Sequence, residues 1–498
     1  MSLDTKIVVN VGDNANLVGG EWVSAVSGET FDVRSPATGE VLAAVPKSGK
    51  ADVDAAVDAA ARAWSVFKDV PRYVRADALR RIAELIRERS EEIARVVSLE
   101  QGKPYETEAL PEVHETASNF QIFAEEAAVW EGPTIPFRDP NKRAHGIYEP
   151  YGVMVVITPW NFPVMIPAEY IAPALVVGNT VISKPASTTP LSLILTGQCI
   201  QQALDEFGFP PGVFSLLTGP GSTMGEQLVT HPLVDLIGLT GETVTGEAIC
   251  SKAGTRKSLM ELGGNGPQIV CDDADLEEAA KAAALGSFYN AGQVCCATER
   301  ILVQEKVHDE FVDLLLKETA TTWKLGDPLD PTTTVGPMNN EPTAAKVEEH
   351  LEDALRKGAT VLAGGSREAG RPTKLYFQPT VVDGVGRTTL LNLEETFGPV
   401  APVLSFKTDA EAIEIAHESR YGLMMSVFTS SLKRSHYYID RLRSGGITVN
   451  DSTDWWEAHL PFGGGGGTRS GHGRLGMRFA LEDMTYLKTV VVDVAKCR

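Results

Sequence analysis

Residues 151–184 read YGVMVVITPWNFPVMIPAEYIAPALVVGNTVISK. Two apolar, β-branched runs, 153–157 and 180–183, flank a stretch of helical texture, the pattern of two parallel strands joined by a crossover helix. Further downstream, similar short runs at 213–217, 236–239 and 268–270 are again separated by helical stretches, which predicts a parallel α/β sheet. A second alternating block extends from about residue 272 to about residue 462, with helices at 276–288 and 307–323 and strands at 301–303 and 400–406. Upstream, Val53, Ala56, Val57, Ala60 and Trp64, then Leu79, Ile82, Leu85, Ile86, Ile93 and Val97, recur at three- and four-residue spacing. That period predicts two packed helices over 51–101. Residues 130–150 are Pro-rich and charged, and 484–494 are β-branched. Neither has a sheet of its own, so the two are expected to pair with each other and with another subunit; a surface hairpin is the alternative.

The chain has 498 residues and a net charge of −21, enough for two or three domains and too acidic to favour a polyanionic partner such as nucleic acid. Its 43% hydrophobic and 22% charged residues are those of an ordinary globular protein. No basic-then-apolar leader opens the sequence, and no run approaches ~18 uninterrupted apolar residues, so a cytoplasmic protein without membrane anchoring is expected. Six cysteines are too sparse for a disulfide framework, and the adjacent pair Cys295 and Cys296 is poorly spaced for chelating zinc, so no metal is expected.

Three short segments carry chemistry. In Asn290-Ala291-Gly292-Gln293-Val294-Cys295 a glycine-containing turn presents a thiol at the edge of a helical run. Such a thiol becomes a nucleophile when dipoles or a cation lower its pKa from about 8.5, although a lone cysteine is as readily a small buried hydrophobe. Glu261, followed by Leu262, Gly263 and Gly264, is a carboxylate among apolar and small neighbours: a candidate general base, or a solvated strand end. Asn161, in Pro159-Trp160-Asn161-Phe162-Pro163, follows the strand 153–157 and so projects from the carboxyl edge where open α/β sheets bind ligands; a turn former is the alternative. Two turns after strands, 218–221 and 239–246, offer helix N-termini to phosphates, but neither has the G-x-G-x-x-G spacing.

Taken in order, these segments resemble the aldehyde dehydrogenase superfamily over nearly the whole chain. The resemblance rests on Leu17-Val18-Gly19-Gly20-Glu21-Trp22, Pro159-Trp160-Asn161-Phe162-Pro163, Lys184-Pro185-Ala186-Ser187, Glu261-Leu262-Gly263-Gly264, Gly292-Gln293-Val294-Cys295, Glu394-Glu395-Thr396-Phe397-Gly398-Pro399, Tyr421-Gly422-Leu423 and Pro461-Phe462-Gly463-Gly464, and on the 34-residue interval from Glu261 to Cys295. It implies a Rossmann-like cofactor domain (1–129 and 151–263), an α/β catalytic domain (264–477) and a small β flap for oligomerisation (130–150 and 478–498), assembled as a homodimer or homotetramer. It also implies NAD(P)-dependent oxidation of an aldehyde to the acid. Cys295 then forms a thiohemiacetal and a thioester, Asn161 holds the oxyanion with the Cys295 amide, and Glu261 activates the hydrolytic water.

By the same resemblance, Lys184 and Ser187 meet the adenosine ribose, the turn holding Gly241, Glu242 and Gly246 meets the pyrophosphate, and Glu395 and Phe397 meet the nicotinamide end. Thr158, Trp160, Gly221 and Leu262 also line the cofactor, and Phe162, Glu169, Cys296, Trp455 and Phe462 line the substrate channel. NAD-preferring members often carry glutamate where Ser187 stands; serine leaves room for a 2′-phosphate, so NADP is favoured over NAD. Glu242 replaces a usual serine beside the phosphates and must turn away from them. Glu169 stands where members acting on semialdehydes that carry a carboxylate tend to have arginine, which points to a neutral aliphatic or aromatic aldehyde. A semialdehyde recognised elsewhere and a coenzyme-A-acylating reaction are the alternatives. Trp455 and Trp456 are adjacent, so only one can face the channel in an extended loop. His459 reads as a hydrogen-bonded loop residue, and Gly463 to Gly467 as a flexible hinge.

Overall fold

The computed structural model describes residues 14–454 and 456–496. The expected parallel sheet forms its first core. Five parallel strands lie in the order Lys257–Glu261, Leu236–Thr240, Val153–Ile157, Thr180–Lys184 and Phe214–Leu216. The chain builds outward from Val153–Ile157 in one direction, then crosses back to add Leu236–Thr240 on its other side. The strand order therefore reverses between Val153–Ile157 and Leu236–Thr240, and a crevice opens beyond their carboxyl ends. Asn16–Val18 and Glu21–Val23 extend one edge antiparallel.

A second sheet runs Thr360–Ala363, Thr380–Asp383, Val400–Phe406, Thr298–Gln304, Gly266–Val270, Met424–Phe428 and Gly446–Val449, parallel except for its first strand. Fully buried Arg300 pins this sheet to its surroundings, donating to the carbonyls of Asn265, Ile415 and Ala416 at 2.9, 3.0 and 3.0 Å. The chain does not stay on this sheet through residue 477. Gly471–His472 pairs antiparallel with Lys257–Glu261, completing the open edge of the first sheet.

Residues 51–101 form three helices rather than two: Lys50–Phe67, Arg72–Glu88 and Ser90–Gln101. The break at Arg89 (φ −111°, ψ 16°) leaves the apolar spacing intact, which is why the period does not show it. Pro-rich 130–150 and the C-terminal run do pair with each other. Thr485–Asp493 lies antiparallel to Lys142–Pro150, and Thr134–Ile135 adds a third strand. This small sheet leaves Ile135, Phe137, Ile147, Leu487 and Val491 exposed. Among the described residues no helix is long and apolar enough to cross a membrane, and no group of three or more His, Cys, Asp or Glu could hold a metal ion.

Candidate active site

The thiol loop is a strained turn held by hydrogen bonds from three directions. Helix Leu276–Phe288 runs into Asn290, Ala291 and Gly292, all left-handed with φ of 50°, 53° and 69°. The two non-glycine residues cost on the order of 1–3 kcal/mol each in that region. Their surroundings offset it. The Asn290 amide donates to the Glu108 carboxylate at 3.0 Å, Gln101 donates to Asn290 Oδ1 at 3.0 Å, and the Asn290 side chain donates to the Asn161 carbonyl at 3.0 Å. Gln293 closes the turn on the Asn290 carbonyl at 2.8 Å, and the Asn339 amide donates to Gln293 Oε1 at 2.9 Å.

Glycines let the neighbouring backbones approach this loop. A Cβ on Gly292 would lie 2.1 Å from the Gly398 carbonyl oxygen, and one on Gly264 would lie 2.0 Å from that of Cys295. Gly264→Ala is therefore expected to displace the thiol, lowering stability by about 1–3 kcal/mol and kcat/KM by about 10²-fold; thermal unfolding and initial rates check this.

Cys295 lies on the shared wall of two cavities. The first, of about 250 Å³, opens at the reversal point of the first sheet, between Pro159, Trp160 and Asn161 on one side and Thr240, Gly241 and Glu242 on the other. Leu262, Lys346, Glu395 and Phe397 complete it. The second, of about 340 Å³, is walled by Phe162, Tyr289, Trp456 and Phe462, with Glu169, Glu261 and Cys296 among its lining.

Glu261 ends its strand only 3% exposed, and neither carboxylate oxygen has a hydrogen-bond partner. Burial pushes its carboxyl well above the ordinary range, and the nearby Cys295 and Glu169 add to this. A buried carboxyl with no partner is costly to keep, and such groups mark functional sites. The buried Asn161 side-chain amide donates to the Gln293 carbonyl at 3.0 Å, which ties it to the thiol loop. Cys296 is a free, buried thiol beside Cys295, and a hydrogen bond with the Cys295 side chain, then burial, raise it well above the ordinary value.

On the cofactor side, Glu395 accepts from the Gly264 amide at 2.8 Å. Phe397, left-handed at φ 58°, sets its ring edge-on to Trp160 with centroids 5.5 Å apart. Glu299, which the sequence does not single out, makes that turn possible: its carboxylate accepts from the Thr396 and Phe397 amides at 2.6 and 2.7 Å, and burial raises its pKa to about 8. Lys184 is buried, donates to the Pro185 carbonyl at 3.0 Å, and is pushed down to about 8 by burial. Ser187 Oγ donates to the Gly219 carbonyl at 3.3 Å, and Gly221 begins the helix Gly221–Thr230 beside Lys184. Thr158 keeps a buried hydroxyl with no partner.

Several expected residues stand differently. Gly246 donates its amide to the Glu242 carbonyl at 3.0 Å, and a Cβ there would lie 2.5 Å from Leu262. It packs helix Thr243–Ala253 against the strand end, so the amides free to meet an anion are those preceding it. Glu242 is exposed and makes no cap hydrogen bond with its side chain. Trp456 lines the second cavity, while Trp455 lies outside the described residues. His459 pairs with Glu457 at 3.1 Å, half exposed, and lines neither cavity. Asp454, Tyr289 and Lys346 also line the site; Tyr289 and Asp454 lie one residue outside segments the sequence does single out, and Lys346 comes from a helix without a motif.

A profile of the aldehyde dehydrogenase family matches residues 22–490. The chain belongs to the aldehyde dehydrogenase family. It is 39% identical over 482 residues to the NADP(+) succinate-semialdehyde dehydrogenase of Escherichia coli, covering 96% of this chain and 97% of that one. It is 38% identical over 473 residues to a glutarate-semialdehyde dehydrogenase of Pseudomonas aeruginosa, covering 95% and 96%. The crystal structure of an NADP-dependent enzyme of E. coli superposes with a TM-score of 0.92 at 38% identity, covering 96% of this chain and 98% of that one. This aldehyde dehydrogenase is thus an oxidoreductase of the class that oxidises aldehydes with NAD(P).

Proposed function

We propose that Cys295 is the nucleophile, Asn161 the oxyanion donor and Glu261 the general base of a hydrolytic aldehyde oxidation. The observation that carries this is the position of Cys295 on the wall common to both cavities, with Glu261 unpaired in the second. Cys295, as the thiolate, bonds to the aldehyde carbon while the carbonyl π pair moves onto oxygen, and the resulting oxyanion is held by the Asn161 amide and the Cys295 backbone N–H. A bound nicotinamide dinucleotide supplies the acceptor for the hydride that leaves this carbon. Glu261 then takes a proton from water as the water oxygen bonds to the acyl carbon, and the thiolate leaves as the acid forms.

The donor set fits a dinucleotide: a buried ammonium at Lys184, an orphaned hydroxyl at Thr158, free amides opening helix Thr243–Ala253, and the Trp160, Glu395 and Phe397 wall. Ser187 and the NADP(+) named for the E. coli relative support NADP as the preferred form. Ser187→Glu is expected to raise the NAD over NADP ratio of kcat/KM by about 10–100-fold through repulsion of the 2′-phosphate; paired initial rates measure it.

The E. coli and P. aeruginosa relatives are named for semialdehydes, but among the described residues the lining of the second cavity holds no Lys, Arg or His to meet a carboxylate. The substrate is an aldehyde without negative charge and with an apolar body. The exposed apolar residues of the small sheet support self-association as a dimer or tetramer, and a catalytic thiol supports a reducing cytoplasm. Acid and NAD(P)H formed in equal amounts without coenzyme A is the expected product pattern; a strict requirement for coenzyme A would refute hydrolysis.

A further inference from the structure

Four carboxylates line the substrate cavity, Glu115, Glu169, Glu261 and Asp454, and no cationic side chain lines it among the described residues. Glu261 is absorbed by the proposed mechanism; Glu169 is not. Glu169 projects from helix Met165–Val177, is 6% exposed, and no hydrogen bond or ion pair reaches its carboxylate among the described residues. Its carboxyl is pushed well above the ordinary range, first by burial, then by Cys295 and Glu112. Asp454 likewise leaves Oδ1 without a partner. The buried ammonium of Lys103 is already paired with Glu112 at 2.7 Å and stands over the Phe162 ring at 3.8 Å from its centroid. Lys103 is thus taken up by Glu112; Arg474, outside the lining, acts on Glu261, whereas no cation is among the groups acting on Glu169. Trp456 and Phe462 meet edge to face at 6.2 Å and add an aromatic wall. A carboxylate such as Glu169, beside aromatic faces and with no cation in the lining, forms a receptor for an ammonium group.

Resting on the proposed oxidation, we infer that the substrate is a cationic aldehyde, its ammonium group held by Glu169 against the aromatic wall while its carbonyl reaches Cys295. This replaces the neutral-aldehyde expectation and departs from the semialdehydes named for the E. coli and P. aeruginosa relatives. An ammonium within a few ångströms of Glu169 supplies the counter-charge that the fold withholds.

The test compares 4-(trimethylammonio)butanal with its uncharged isostere 5,5-dimethylhexanal and with succinate semialdehyde. The expected result is a kcat/KM for the ammonium aldehyde at least about tenfold above the isostere, carried by KM, and higher still over the anion. Glu169→Gln should cut that ratio about tenfold. Equal or better use of the isostere, or an unchanged ratio in the variant, overturns the inference. A second arm needs no turnover: modification of Cys295, followed by peptide mass, with cationic aminoethyl and anionic sulfonatoethyl methanethiosulfonate. After correction for their rates on free cysteine, the cationic reagent should react faster; parity or the reverse overturns the inference. A cationic preference here without oxidation of any aldehyde upholds the cationic pocket and counts against the oxidation reading instead.

Discussion

Cys295→Ala is expected to abolish aldehyde-dependent NAD(P)H formation, lowering kcat/KM by about 10⁴-fold or more, the scale seen when a nucleophile is removed. The substitution deletes one sulfur from a wall between two cavities and leaves the hydrogen bonds of the turn intact, since these run through Asn290 and Gln293. Unchanged circular dichroism and unchanged NADPH binding should accompany the loss. Cys296 does not replace the lost group: it is buried and lines only the substrate cavity, not the cofactor side that Cys295 also faces. Appreciable turnover by the variant would remove Cys295 from the chemistry.

Glu261→Gln is expected to slow the overall rate by about 10²–10⁴-fold, the usual contribution of a positioned base. Acylation does not need that base, so a burst of about one NAD(P)H per site should precede the slow phase. The variant keeps shape and volume and removes a buried, unpaired carboxyl, so the fold should not suffer. The pH dependence follows from the direction of the shift. A base works when ionised, and the Glu261 carboxyl is held well above the ordinary range. Deacylation in the native enzyme should therefore rise with pH through a value well above about 4.3, the ordinary glutamate pKa, and the variant should lose that rise. Single-turnover deacylation measured across pH separates the two.

Much of this site is legible in the sequence because its chemistry sits at strand ends, where apolar runs give way to short polar and glycine-containing segments. Asn161, Glu261 and Gly241 each follow such a run. The groups that hold the site together are not legible in that way. Glu299 supports Phe397 from 98 residues away, and Glu108 holds Asn290 from 182 residues away, so local pattern cannot pair them. Alternation along the loop cannot choose which of two tryptophans faces the channel; the structure puts Trp456 in the wall, and Trp455 lies outside the described residues. Gly246 resembles a phosphate-loop glycine in sequence and serves as a packing glycine, because what it meets is Leu262 from the adjacent strand end. The return of Gly471–His472 to the first sheet involves two residues, too short for any periodicity.

The central claim is that the acyl group is carried on Cys295 and released by Glu261. Its most direct test is peptide mass analysis of Glu261→Gln quenched during turnover with an aldehyde and NADP. The predicted result is an acyl adduct on the peptide carrying Cys295, of the mass of the acid less water, absent when NADP is omitted. No adduct alongside a persisting burst, or an adduct on another residue, would contradict it.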